Sequence, residues 1–136
     1  MIAAVRIRGL VGTKIKQEAR MGSLMLRKKY NCILLDEKDL PRIEKVKEMI
    51  SFGEIDDETL RMLVSKRGKK GNKSLANADE VIKGLKSGKS LRELGVTPYF
   101  RLSPPRGGFK KSMKLHYPKG VLAHNKEINS LLKRMI

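Results

Sequence analysis

The stretch 2-IAAVRIRG-9 decides the fold, because it predicts the strand from which the other elements can be placed. Apolar side chains alternate there with Arg6 and Arg8, which is the pattern of a β-strand with one buried and one exposed face. Gly9 and Gly12 follow between this strand and a helix, as glycines do in dinucleotide sites, but a tight turn explains two glycines better. We therefore expect a first strand that turns directly into a helix.

The pattern continues as helix, strand, helix and strand. Thr13 is predicted to cap a helix that runs to about Lys29, and residues 30–35, apolar on both faces, predict an interior strand. Asp39 is predicted to cap a second helix, and residues 51–55 predict a third strand. Two helices that cover one face of a small β-α-β-α-β sheet give an α+β fold, ferredoxin-like in character.

The rest of the chain predicts a helical insertion and a basic extension. Asp57 is predicted to cap a helix that Gly68 ends, a mobile basic loop follows over 68–77, and 77–85 and 90–94 predict two short helices. We divide the chain into a β-α-β-α-β core (1–57), a helical insertion (58–98), and a return strand, basic loop and C-terminal helix (99–136).

The charge of the chain is large and unevenly placed. There are 31 Lys and Arg against 14 Asp and Glu, a net charge of +17. Residues 1–35 carry eight bases and one acid, 36–58 carry four bases and nine acids, and 59–136 carry nineteen bases and four acids. Such an excess is costly in self-repulsion unless a polyanion neutralises it. The distribution predicts an acidic face toward water or a protein and a basic remainder toward RNA.

Other compositional features narrow the class of protein. No apolar run reaches the ~18 residues of a membrane span, and residues 1–12 lack the pattern of a secretory signal. The single cysteine, Cys32, excludes a disulfide framework within the chain and fits a reducing compartment. We therefore expect a cytoplasmic protein without a membrane partner.

The segment 101-RLSPPRGGFKKSMKLHYPKG-120 is the strongest candidate for a binding site. It holds six bases and no acid, and four of the six aromatic residues of the chain lie within 99–117. Lys and Arg displace counterions from phosphates, rings stack on unpaired bases, and Pro-Pro and Gly-Gly shape a backbone that can approach a groove. The alternative is a solvated basic loop whose rings belong to the core.

A second basic segment, 66-KRGKKGNK-73, has five bases in eight residues and predicts contact with phosphate. Its Gly68–Gly71 has the G-x-x-G form of KH domains, but a four-residue match is weak, and the spacing to Ser74 excludes a Walker loop. The predicted RNA contacts are Arg27, Lys28, Lys29, Lys66, Arg67, Lys69, Lys70, Lys73, Arg101, Ser103, Pro104, Pro105, Arg106, Gly107, Gly108, Phe109, Lys110, Lys111, Lys114, His116, Lys119 and His124.

The sequence is poor in candidates for catalysis. His116 and His124 are eight residues apart with no cysteine near them, which is not a metal-ligand spacing. Cys32 lies in a predicted core strand, and the acids 56–58 are explained by helix capping. We expect no cofactor, no metal and no enzymatic activity.

Three blocks of the sequence resemble the long, archaeal-type form of the large-subunit ribosomal protein thirty family, whose eukaryotic counterpart is numbered seven. They are 2-IAAVRIRG-9 with 31-NCILLD-36, then 52-FGEIDDETLRMLVSKRG-68, then 101-RLSPPRGGFKKSMK-114 with the run to His124. The segment 69–97 matches least. Because the sequence begins almost at its first strand, without the basic arm of the eukaryotic form, we expect the archaeal type.

The resemblance implies a fold and a function. It implies the β-α-β-α-β unit with a helical insertion and a C-terminal extension, and a monomer bound to large-subunit ribosomal RNA near 5S rRNA, beside other ribosomal proteins. It places residues 103–114 against RNA and implies no enzymatic step. Two alternatives remain: a free RNA chaperone or ribosome assembly factor, and an RNA-processing enzyme, for which the sequence offers no triad or metal cluster.

Overall fold

A computed structural model describes residues 1–9, 12, 14–71, 73–74, 77–109 and 111–136 of the chain. The predicted cap Thr13 lies outside these residues. In chain order the elements are β1 (Ile2–Arg6), α1 (Ile15–Ser23), β2 (Asn31–Leu35), a 3-10 turn (Glu37–Asp39) that leads into α2 (Leu40–Glu44), β3 (Ile50–Glu54), α3 (Asp57–Arg67), β4 (Lys69–Lys70), β5 (Lys73–Ser74), α4 (Ala78–Lys86), β6 (Phe100–Arg101), β7 (Ser112–His116), β8 (Gly120–His124) and α5 (Ile128–Met135).

Strand β1 lies at the centre of the sheet. It pairs antiparallel with β2 on one side, where Val5 faces Cys32, and with β3 on the other, where Val5 faces Ser51. The strand order is β6-β2-β1-β3-β8-β7, and the pairing of β3 with β8 is parallel, so the sheet is mixed. The predicted α+β fold of ferredoxin-like character and the interior position of the second strand are confirmed.

Both faces of the sheet are covered. On one face, Ala4 and Ile33 belong to an apolar cluster with Met21 of α1 and Ile43 of α2. On the other face, residues of β1 and β2 belong to a second cluster with side chains of α3, α4 and α5. The helices of the later chain therefore complete a second core on the side of the sheet that α1 and α2 leave open. In the described part of the chain, no helix is long and apolar enough to cross a bilayer.

The prediction that Arg6 faces solvent is wrong, because its side chain is fully buried at 0% exposure. The guanidinium donates to Glu18 Oε1 at 2.6 Å, to the Leu26 carbonyl at 2.8 Å and to the Arg8 carbonyl at 2.8 Å. Alternation in a strand identifies two faces but not what covers the second one. Here α1 covers it and supplies, through Glu18, the counter-charge that a buried guanidinium requires.

Helix α1 ends at Ser23, six residues before the predicted end. The Leu26 N–H donates to the Met21 carbonyl at 2.9 Å, and the Met25 N–H donates to the Gly22 carbonyl at 3.1 Å. Met25 has a left-handed φ of 63°, so these two bonds form a Schellman motif with a methionine where glycine is usual. The motif buries both Leu26 and Met21, which explains why the chain leaves the helix here.

The acidic residue that caps α3 is Asp56 rather than the predicted Asp57. Its carboxylate accepts a hydrogen bond from the Thr59 N–H at 2.7 Å. This bond to Thr59 lowers the pKa of Asp56 below its ordinary value. Asp39 stands at the predicted N-cap of α2, but its side chain makes no capping bond and instead pairs with Arg42 at 3.6 Å.

Three further segments differ from prediction. Residues 69–70 and 73–74 form the paired strands β4 and β5 where a mobile loop was predicted. Residues 112–124 contribute the strands β7 and β8 to a segment that was expected to be irregular up to residue 120. Residues 90–94 form one turn and no helix. Ser90 and Glu93 exchange hydrogen bonds at 3.3 Å as in a capping box, but Gly95, with a φ of 74°, ends the turn at once.

The buried ion pair makes a stability test. Replacing Arg6 with methionine leaves Glu18 and the carbonyls of Leu26 and Arg8 without their donor. Breaking a buried pair in this way costs about 3–5 kcal/mol. We expect that loss in the free energy of unfolding measured by urea denaturation. Arg8→Met, two residues after the end of β1 and exposed, is the control and should stay within about 0.5 kcal/mol of wild type. Equal losses in both variants would contradict this assignment.

Candidate nucleic-acid interface

The segment from Leu102 to Gly108 is held in place through its backbone. The Leu102 N–H donates to the Tyr30 carbonyl, and the Ser103 and Arg106 N–H groups donate to the carbonyls of Met135 and Arg134 in α5, each at 3.1 Å. Helix ends leave such carbonyls without intrahelical partners. The backbone of the segment therefore supplies hydrogen-bond donors to the last carbonyl groups of α5, and its side chains are not needed for that role.

Its side chains divide into anchors and exposed groups. Leu102 and Pro105 are buried, whereas Ser103, Pro104, Arg106, Gly107 and Gly108 are exposed. The Gly108 N–H donates to the Pro105 carbonyl at 3.0 Å and closes a turn. Gly107 and Gly108 have φ angles of 75° and 74°, a backbone conformation that favours glycine. The Pro-Pro and Gly-Gly pairs therefore present Arg106 at the tip of a fixed turn.

The aromatic residues of this region do not share one environment. Phe100 is 1% exposed and belongs to the core, so its ring is unavailable to a base. Phe109 is half-buried and stacks on Tyr30, with ring centroids 6.3 Å apart and planes 27° from parallel. The Lys29 ammonium lies 5.1 Å from the centre of the Tyr30 ring. The Tyr30–Phe109 stack joins the turn after α1 to the residue that follows the 102–108 segment.

Of the basic residues around the end of α3, Arg67 contacts the 102–108 segment and Lys69 contacts the chain just before it. Arg67 Nη2 donates to Ser103 Oγ at 2.8 Å, and the Thr97 N–H donates to the Lys69 carbonyl at 2.9 Å. In the β4–β5 hairpin, Lys70 lies directly opposite Lys73. The basic surface, as we call it, consists of Lys66, Arg67, Lys69, Lys70, Lys73, Arg101 and Arg106.

The cations of the basic surface lack acidic partners. None of them forms an ion pair with a carboxylate in the described part of the chain. Like charges directly opposite in a β-pair, as at Lys70 and Lys73, are destabilising. An arrangement that costs stability in the free protein is favourable once a polyanion lies against it.

The predicted contacts in and before β7 and β8 are of two kinds. Lys111 is half-buried, pairs with Glu127 at 2.9 Å and lies 4.6 Å from the centre of the Tyr117 ring, so its charge is already partly neutralised. Lys114, His116 and Lys119 are exposed. Lys110 lies outside the described residues.

His124 lies apart from the basic surface. Its ring packs edge-on against Phe52, with centroids 5.6 Å apart, and it lines a small cleft with Glu37, Glu44 and Glu54. The structure therefore places this predicted contact beside the acidic part of the chain. The eight carboxylates of 36–58 other than Asp39 are exposed, as expected for a face toward water or protein.

Arg8 and Lys14, which are not among the predicted RNA contacts, lie near two residues that are. Arg8 and Lys14 line an open cleft together with Lys29 and Lys114. Arg27 and Lys28, exposed on the turn after α1, stand next to this group. The alternating pattern of residues 2–8 had marked Arg8 as an exposed cation, but nothing in the linear pattern showed that four separate segments meet.

The structure offers little for covalent or metal chemistry. Burial raises the pKa of the Cys32 thiol to about 12, so it is protonated and unreactive at neutral pH. Among the described residues, no group of three or more His, Cys, Asp and Glu side chains could hold a metal ion. The arrangement is suited to holding an anionic polymer.

Comparison with known proteins gives relatives over the whole chain. No protein-family model matches the sequence. The chain is 38% identical to large ribosomal subunit protein uL30 of Archaeoglobus fulgidus, over 99% of both chains. It is 35% identical to uL30 of Korarchaeum cryptofilum, over 100% of this chain and 95% of that one. It is likewise 35% identical to uL30 of Nanoarchaeum equitans, over 100% and 99%.

The Lys70–Lys73 pair makes a test on the free protein. Lys70→Glu turns a repulsive cross-strand pair into an attractive one. Such pairs contribute about 0.2–1 kcal/mol, so amide hydrogen exchange in the hairpin should slow by up to about fivefold at low salt. Lys69→Glu makes the same change of charge opposite Ser74 and serves as the control. Slower exchange in both variants would show a general charge effect instead of a pair.

Proposed function

Because the chain belongs to the uL30 family of large ribosomal subunit proteins, we propose that it binds large-subunit ribosomal RNA as a structural constituent of that subunit. The family places it in the large subunit of the cytoplasmic ribosome. The observation that carries the RNA proposal is the basic surface, whose cations form no ion pair with a carboxylate in the described part of the chain. Backbone hydrogen bonds hold Arg106 and Lys69, and the Arg67 side chain donates to Ser103 Oγ.

The mechanism is neutralisation of phosphates by a fixed set of cations. Phosphate contacts fix the orientation of a protein on RNA and carry little sequence information. The 102–108 segment is suited to this role, because α5 holds its backbone and Arg106 projects from the turn that Gly107 and Gly108 allow. The protein therefore recognises the shape of folded RNA and performs no enzymatic step.

The neighbourhood of the bound RNA is a further part of the proposal. That it lies near 5S rRNA rests on the family resemblance alone. The acidic stretch 36–58 is exposed and lies apart from the basic surface, which supports contact with water or with a neighbouring ribosomal protein. The chain would act as a single copy in the subunit.

The proposal predicts a steep dependence of RNA affinity on salt. In a titration of binding to large-subunit rRNA, each phosphate neutralised contributes about 0.7–0.9 to the slope of log affinity against log salt. Arg106→Ala should lower affinity roughly tenfold and remove about one such contribution, because it deletes a charged contact. The melting temperature should not change, since the side chain is exposed and the backbone bond to α5 remains.

A control variant and a second measurement complete the test. Lys45→Ala removes the same charge from the acidic stretch and should leave affinity nearly unchanged. A flat salt response of the wild type would overturn the proposal. Stoichiometric recovery of the chain in salt-washed large subunits distinguishes a structural constituent from an assembly factor that leaves before the subunit matures.

A further inference from the structure

An open cleft of about 490 Å³ lies between the end of β1, the start of α1 and the first part of β7. Four cations from separate segments line it: Arg8 after β1, Lys14 before α1, Lys29 before β2 and Lys114 in β7. Only the last two lie in segments whose sequence indicated RNA binding. The described carboxylate that lines the cleft is Glu48, so the cations exceed it by three charges.

These four cations are not engaged with acids. None of them forms an ion pair with a carboxylate in the ranges that the structure describes. Lys29 contacts the Tyr30 ring, which leaves its charge available to an anion. Four like charges around one cleft repel one another, and among the described residues that line the cleft Glu48 carries the opposite charge. The arrangement is favourable only when an anion occupies the cleft.

The backbone holds the cleft in a fixed shape. The Arg8 N–H donates to the Met49 carbonyl at 3.2 Å, and the Lys114 N–H donates to Ser112 Oγ at 3.1 Å. The buried Arg6 side chain donates to the carbonyls of Arg8 and Arg27, which fixes the segments that carry Arg8 and Lys29. A preformed site loses little entropy when its ligand binds.

Two polar features of α1 face the same cleft. Lys14 occupies the N-cap position, and a lysine has no acceptor with which to cap the first N–H groups of the helix. Helix N-termini bind phosphate through such groups and through the helix dipole. Gln17 also lines the cleft, and the NH₂ group of its side-chain amide is a further hydrogen-bond donor.

We propose that this cleft binds a phosphodiester group of the RNA backbone, with Arg8 and Lys14 as contacts additional to those of the basic surface. The inference rests on the RNA binding proposed above and extends the interface to the start of α1. Phosphate is the anion that fits, because the cleft offers several single-point cations and N–H donors around one open space.

The test uses the full-length protein with large-subunit rRNA and compares three chains. The double variant Arg8→Gln/Lys14→Gln removes two cations from the cleft. The control Lys16→Gln removes one cation from the exposed part of α1, two residues from Lys14, and does not line the cleft. Circular dichroism and melting temperature verify that each variant is folded. The affinity and its salt slope are then measured for each chain.

We expect the double variant to bind roughly tenfold more weakly and its slope to fall by about 0.7–0.9 for the lost phosphate, while the control keeps the wild-type slope. If the double variant binds like Lys16→Gln and the wild type remains steeply salt-dependent, the cleft proposal is overturned and the RNA proposal stands. A wild type without salt dependence overturns the RNA proposal and the cleft with it.

A second measurement separates an RNA phosphate from a free anion. Amide chemical shifts of residues 14–17 and 114 are followed during titration with a short large-subunit RNA fragment and, separately, with inorganic phosphate. RNA should shift these amides at lower concentration than phosphate, and the shifts should be absent in the double variant. Shifts with inorganic phosphate and none with RNA would overturn the assignment to the RNA backbone.

Discussion

The burial of Arg6 in the central strand is the constraint on which much of the interface depends. Its guanidinium joins three parts of the chain: α1 through Glu18, the turn after α1 through the carbonyls of Leu26 and Arg27, and the end of β1 through the carbonyl of Arg8. The Arg6 carbonyl also accepts from the Tyr30 N–H at 2.8 Å. A charge buried this deeply is stable only if every partner is in place, so these segments have one arrangement relative to one another. This arrangement fixes the positions of Lys29 and Tyr30. Because Tyr30 stacks on Phe109, it also fixes the chain at the end of the 102–108 segment.

The distribution of ion pairs separates structural charges from binding charges. Asp39 pairs with Arg42 at the start of α2. Asp57 pairs with Lys86 of α4, and Glu58 pairs with Lys133 of α5, so these two pairs join α4 and α5 to the start of α3. These exposed pairs contribute little to stability, and they engage three of the nine acids of the 36–58 stretch. The basic surface has no such partners in the described part of the chain, and within it Lys70 faces Lys73. Under the proposed function this repulsion lies where RNA would bind, and its neutralisation would contribute to the affinity.

The sequence pattern predicted the central sheet well, because four of the five residues of β1 and of β2 are apolar, and Ile50 and Phe52 alternate with polar or small residues in β3. It could not predict that α1 would lie over the outer face of β1, since that depends on a pairing of Arg6 with Glu18 twelve residues away. The sequence also contained no indication that α1 ends early at Met25, which has a left-handed φ, because glycine is the residue that usually marks such an end. For the site, composition identified the 101–120 segment but not which of its side chains are anchors: Pro105 is buried and Arg106 is exposed. His124 and the cleft around Arg8 and Lys14 depend on contacts between distant segments, which no linear pattern contains.

Lysine reactivity in the complex with rRNA tests the central claim most directly. The protein is treated with a lysine-acylating reagent, free and bound to protein-free large-subunit rRNA, and modification at each lysine is quantified by mass spectrometry. We expect RNA to protect the lysines of the candidate interface, which are Lys69, Lys70, Lys73 and Lys114. The lysines of the acidic stretch, Lys38, Lys45 and Lys47, should keep the reactivity of the free protein. All seven are exposed. Equal protection of both groups, or protection concentrated in the acidic stretch, would contradict that claim.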